Sequence, residues 1–209
     1  MKRTGGFFSD EEKRRIEEAV EKAETRTSGE IVPMVVEAAH DYPRAEIIGG
    51  GFFALGLASL ISWYWWHASL WSFLPAFLLL YLPCKWLIRY LPHLKRCFIA
   101  NEEIDAEVRE RALVAFVEQG LHHTRDETGI LILICLFEHR VEVLADRGIN
   151  AVVPQQTWQE IVDMIIDGLH QGQACEALCR AIGRCGAILA EQFPLQAGDR
   201  NELPNLIIE

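Results

Sequence analysis

The side chains best suited to chemistry in this chain are the carboxylates Glu30, Asp126, Glu138 and Asp146, with Glu127 next to the second of them. Asp146 opens the segment Asp146-Arg147-Gly148 directly after an apolar run. An acidic loop at a strand end can hold a hard divalent cation such as Ca²⁺ or Mg²⁺ through oxygen ligands. A cation so held polarises a phosphoester and activates a bound water, so the chemistry open to these residues is metal-dependent phosphoester hydrolysis. It requires Glu30, Asp126, Glu138 and Asp146 to converge, which depends on where the strand ends meet. Against it, no DxD, HxH or HExxH spacing occurs, and an Asp followed by Arg-Gly is more often a turn-former than a ligand.

Other candidate ligands are weaker. His122-His123 are adjacent, so their side chains diverge, and with His170 they read as surface histidines. Cys175 and Cys179 stand four apart, a spacing that can ligate zinc on a helix, but no second ligand pair follows and both read as small buried residues. No serine sits in a nucleophile elbow and no glycine-rich phosphate loop follows a strand. The catalytic residues therefore stay unknown, and so does the cofactor, for which a divalent cation such as Ca²⁺ or Mg²⁺ is the candidate.

The elements that must position the carboxylates come from periodicity. Ser9-Asp10-Glu11-Glu12 reads as a capping box ahead of Ile16, Ala19, Val20 and Ala23 at helical spacing. Residues 31–39 read as a strand, with Pro33 placing it at a sheet edge or strand start. Residues 100–119 form an amphipathic helix, residues 130–137 an unbroken apolar strand and residues 141–145 its hairpin partner. A loop over 146–150 follows, where Gly148 supplies a positive φ, and then two amphipathic helices run through Trp158 to Leu169 and Ala174 to Leu189.

Two uncharged apolar runs, 47–66 and 70–84, separated by His67-Ala68-Ser69, interrupt this order. Twenty residues at 1.5 Å rise cross roughly 30 Å of hydrocarbon, so the runs predict a two-helix transmembrane hairpin over 47–91. The second span contains Pro75, Pro83 and Lys85, which leaves a re-entrant segment as its alternative. Gly50, Ala54, Ala58 and Ser62 recur every four residues and predict a close helix contact, within the hairpin in preference to a partner's helix. Trp63, Tyr64, Trp65, Trp66 and Trp71 gather at the tip, where amphipathic rings favour the membrane interface.

Arg44, Lys85, Arg89, Lys95 and Arg96 flank the ends of the runs and the link has no Lys or Arg, which predicts ends facing the cytoplasm across an inner membrane. The opening fifteen residues are polar, without the apolar stretch of a signal peptide, and the six cysteines are expected to be reduced.

A lone strand before the hairpin has no local partner, so it must join the strands after it. The expectation is one α/β sandwich, a mixed sheet with helices on both faces, in which 1–46 and 97–193 are two parts of one domain and 194–209 is a loose tail. Outside 47–96 the net charge is −14, which repels phosphate backbones and excludes nucleic acid as a partner. The lipid bilayer and a protein partner remain.

The chain resembles the TPM-domain family in Phe8-Ser9 with its acidic helix, Thr27-Ser28-Gly29-Glu30-Ile31, Thr128-Gly129-Ile130-Leu131-Ile132, Glu138-His139-Arg140-Val141-Glu142-Val143 and Asp146-Arg147-Gly148-Ile149. These segments cover about 7–193 in the family's order. The resemblance implies an α/β sandwich. It also implies roles as diverse as photosystem repair with a proposed acid phosphatase activity and assistance to a ligand-gated channel. An inserted hairpin and the lack of a signal peptide depart from the family's exported members. The sequence favours a membrane-anchored TPM-like protein that binds a protein partner, with a divalent-metal-dependent phosphatase as the alternative.

Overall fold

The computed structural model describes residues 6–66, 70–124, 127–195 and 203–209, except the side chains of Trp65 and Trp66. The predicted link 67–69, most of the predicted tail and two rings of the predicted tip cluster thus lie outside the described residues. The chain divides into two compact units, Met1–Ala39 with Ala106–Glu209, and His40–Asp105.

The first unit is α/β. Its strands β1 (Glu30–Val36), β2 (Gly129–Cys135), β3 (Arg140–Ala145) and β4 (Ile207–Ile208) form one sheet in the order β3-β2-β1-β4. β1 runs parallel to β2 from Glu30 opposite Gly129 to Val36 opposite Cys135, and β3 returns antiparallel. The sequence-distant strand thus pairs as expected. Both β1 and β2 are buried along their whole length, which explains why they are apolar apart from Glu30 at the start of β1.

Helix α1 (Asp10–Glu24) begins with the predicted capping box: the Glu12 N–H donates to Ser9 Oγ at 3.3 Å and the Ser9 N–H to Glu12 Oε2 at 2.8 Å. With α7 (Gln155–His170) and α8 (Ala174–Gln192) it lies on one sheet face. There Ile16, Val20, Ile161, Ile165, Leu178 and Ile182 share a core with Ile31, Val35, Ile130 and Ile132. Val32, Met34, Leu131 and Leu133 are equally buried but point away from that core. Their face takes the helix α5 (Asn101–Glu118), which buries Val108, Ala112 and Ala115 and is tied to the last strand by an ion pair between Arg111 and Glu209. Each such fully buried aliphatic contributes about 1.5–3 kcal/mol.

Four sequence expectations are corrected here. The tail is not loose throughout: Ile207 and Ile208 pair with Met34 and Val35 of β1, a segment too short for periodicity to reveal. Pro33 is consequently in an inner strand. The Glu209 N–H donates to Val35 O at 2.9 Å and the Glu37 N–H to Glu209 O at 3.2 Å, so the odd-numbered residues of β1 turn toward β4. Pro33 faces the same way but precedes the paired stretch, so its missing N–H breaks no ladder bond. Residues after Asp146 form a short helix α6 (Arg147–Asn150) where a loop was expected, and Gly148 has no positive φ. Positive φ falls on Glu127 (54°) and His139 (50°) instead.

The second unit contains α2 (Pro43–Trp66), α3 (Leu70–Tyr90) and α4 (Pro92–Arg96). The two long helices are antiparallel, with Gly50 against Lys85 near one end and Ser62 Oγ 3.0 Å from Ser72 Oγ near the other. Helix α3 continues through Pro75 and Pro83 as one element of 21 residues, roughly 31 Å. Ala54, Ala58 and Ser62 are buried, and a Cβ on Gly50 would stand 2.8 Å from the Lys85 Cα, so the small-residue stripe lines the contact between the two helices. Outward, Leu60, Trp63, Trp71, Leu79 and Tyr90 are exposed. Both helices are long and apolar enough to cross a membrane. At their base Lys95 Nζ lies 2.9 Å from Glu46 Oε1 with both side chains largely buried, and it also donates to Asp41 O.

Candidate functional site

The parallel register brings three strand ends together: the start of β1, the start of β2 and, through the antiparallel hairpin, the end of β3. Backbone bonds stitch this end. The Glu30 N–H donates to Thr128 O at 3.2 Å, the Asp146 N–H to Gly129 O at 2.9 Å and the Gly148 N–H to Glu127 O at 3.1 Å. Buried threonines reinforce it, because Thr128 Oγ1 donates to Ser28 O at 3.3 Å and Thr27 Oγ1 to Phe193 O at 2.6 Å. A single alcohol of the right length satisfies each carbonyl where the chain turns into a strand.

Glu30, Glu127 and Asp146 therefore lie at the same end of the sheet. Asp146 is the N-cap of α6: its Oδ1 accepts the Arg147 N–H at 2.7 Å, the role a turn-forming Asp takes, while its Oδ2 is buried with no partner among the described residues. Arg147 stands 3.9 Å from the Glu127 carboxylate, and both side chains are well exposed. Asp126 lies outside the described residues.

Glu138 does not join this group. It sits in the turn between β2 and β3, at the opposite end of the sheet, six strand steps or roughly 20 Å away. It is fully buried and its Oε1 accepts the Ala39 N–H at 2.9 Å, so its role is to secure the chain just past β1. Among the described residues no three His, Cys, Asp or Glu side chains gather to hold a metal ion.

Glu30 has a partner that sequence reasoning missed. The Glu24 side chain at the end of α1 accepts the Ile31 N–H at 3.0 Å, which brings it beside Glu30. Burial pushes the Glu24 carboxyl up to about 8, the Ile31 N–H opposes that shift, and the neighbouring Glu30 adds to it. At neutral pH Glu24 holds a proton and hydrogen-bonds to Glu30, and such a proton-sharing pair carries less charge for a cation than two carboxylates. The available signal was a glutamate in the last turn of a helix shortly before a buried strand-start glutamate.

The sulfur and imidazole candidates separate equally clearly. The Cys175 and Cys179 thiols donate to the α1 carbonyls Glu12 O and Arg15 O, each at 3.7 Å. Desolvation pushes Cys175 up to about 11 and Cys179 upward too, so both remain neutral thiols packed between helices. All six cysteines are free. His122 and His123 are exposed in a 3-10 turn with their rings 3.8 Å apart.

Residues 97–188, which include β2, β3, the Asp146 cap and Glu138, match the family described as the TPM domain. Over those residues the chain is similar to the TPM domain. No curated protein matches the chain. Among solved structures, the BA42 protein from the psychrophilic bacterium Bizionia argentinensis, determined by NMR, is similar at a TM-score of 0.62. It is 22% identical over 100% of this chain and 99% of that one, a likeness of fold. The TPM-domain match excludes α1 and β1, so the Glu24–Glu30 pair belongs to the part of the fold outside it.

Proposed function

We propose that this TPM-like protein is anchored in a membrane, the cell inner membrane, by α2 and α3, and that its acidic α/β unit binds a protein partner on the cytoplasmic side. The observation that carries the reading is the inverted hairpin exterior. Small residues line the contact between the helices while Leu60, Trp63, Trp71 and Leu79 face outward, an arrangement matched to lipid and unfavourable in water. The charges agree with this orientation, since Arg44, Lys85, Arg89, Lys95 and Arg96 all lie toward one end of the helix pair. Binding is favoured over catalysis because Glu138 is removed from the other carboxylates and Glu30 shares a proton with Glu24.

The test is affinity purification of the tagged full-length chain from its native membranes in mild detergent after lysine cross-linking. A discrete heteromeric complex is expected, and recovery of a lone monomer at all expression levels removes the reading. A second reading rests on Asp146 Oδ2, buried and unpartnered among the described residues: a divalent-metal-dependent phosphatase. Turnover of a generic phosphoester with Mg²⁺, Mn²⁺ or Ca²⁺ that disappears in Asp146→Ala supports it, and turnover no greater than that of heat-killed protein ends it.

A further inference from the structure

Among the described residues β3 is the outer strand of the sheet, and its stretch Glu142 to Ala145 forms the floor of a groove of about 420 Å³. Register decides which groups face it. The Asp146 N–H bonds to Gly129 O at 2.9 Å, so the alternation of an antiparallel ladder directs Leu144 and Glu142 to β2 and turns the N–H and C=O of Val141 and Val143 outward. Ala145 is turned the same way, and Asn150 Nδ2 already donates to its carbonyl at 2.6 Å. β3 contains no proline to close this edge.

The walls carry further polar groups. Arg109 of α5 stands on one side with its side chain exposed; Trp158 and Gln159 of α7 line the other. Trp158 is only 6% exposed, yet its indole Nε1–H has no hydrogen-bond partner among the described residues. Leaving a buried donor unmatched costs free energy, so a groove-lining indole of this kind points to an acceptor supplied from outside.

We propose that the open edge of β3 is a docking groove for one extended polypeptide segment of a partner protein. The segment adds as a further strand at Val143, gives a carbonyl to the Trp158 N–H, and sets an acidic side chain against Arg109. The walls favour a lone strand over the same edge of a second copy, because each copy's edge lies between its own walls and two Arg109 side chains would be driven together. The inference rests on the partner-binding reading and gives it a surface and a ligand class.

The experiment presents a fluorescein-labelled hexapeptide library to the full-length protein in dodecylmaltoside and reads fluorescence polarisation. Selected peptides are expected to lack proline and to carry Asp or Glu at alternate positions. Their affinity should fall at least about tenfold in Arg109→Glu, a surface change, and in Trp158→Phe. N-methylation of alternate peptide nitrogens should abolish binding in one register and spare it in the other, because an added strand uses every second N–H. Absence of enrichment, or indifference to N-methylation in both registers, overturns the groove. So does a concentration-dependent homodimer lost in Arg109→Glu, which would make a second copy the occupant. If the cross-linked complex of the preceding test survives Arg109→Glu with Trp158→Phe, the groove is wrong and the partner reading stands; if the native protein yields no complex, that reading has failed by itself.

Discussion

Glu24 and Glu30 illustrate what single side chains do at the strand-start end of the sheet. Glu24 holds its proton up to about pH 8 in the folded protein, against an ordinary value of 4.5. Between those values the folded chain binds more protons than the unfolded chain, so its contribution is fully present at low pH and is lost as pH rises through about 8. The melting temperature should therefore fall between pH 5 and 8, and Glu24→Gln should flatten that slope in a thermal scan. Glu138 makes a different prediction. Glu138→Ala strips the half-buried Ala39 N–H of its acceptor and should destabilise the α/β unit by about 1–3 kcal/mol. Glu138→Gln, which keeps an oxygen there, should cost less in the same denaturation measurement. A phosphoesterase role for Glu138 would reverse the emphasis, with Gln removing activity at unchanged stability.

Among the elements, the hairpin helices depend most on a few atoms. Gly50 allows α2 to approach the Lys85 backbone, so Gly50→Leu must force the helices apart. A Ser62→Cys, Ser72→Cys pair should form a disulfide under mild oxidation, since their hydroxyl oxygens are 3.0 Å apart. Adding Gly50→Leu should reduce that cross-link on a non-reducing gel. Elements also show what the sequence could convey. The apolar lengths, the Ser9 capping box and the β-branched run of β2 are local patterns, and each was legible. β4 was not, because two isoleucines carry no period and acquire meaning only beside Met34 and Val35. The site was half legible for the same reason: sequence placed Asp146 after a strand, but the separation of Glu138 and the meeting of Glu24 with Glu30 are set by pairing between distant segments.

On the scale of the whole molecule, β1 precedes the hairpin and every strand it contacts follows it, so the α/β unit comprises both sides of the interruption. Thr25 and Arg147 should then be accessible to protease or cysteine labelling from the same face of a sealed vesicle. Labelling from opposite faces would contradict a paired hairpin and favour a re-entrant second segment. Removal of residues 203–209 should lower the melting temperature, because it deletes β4 together with the Arg111–Glu209 pair.

The place of Ile207 beside Met34 also constrains synthesis. While the ribosome is still working, β1 has emerged without either neighbour, and the two long apolar helices leave the exit tunnel before β2 exists to receive it. The nascent segment must wait with one edge of β1 uncovered until the residues of β4 emerge. Chaperone demand should therefore persist until β4 emerges and seals the sheet.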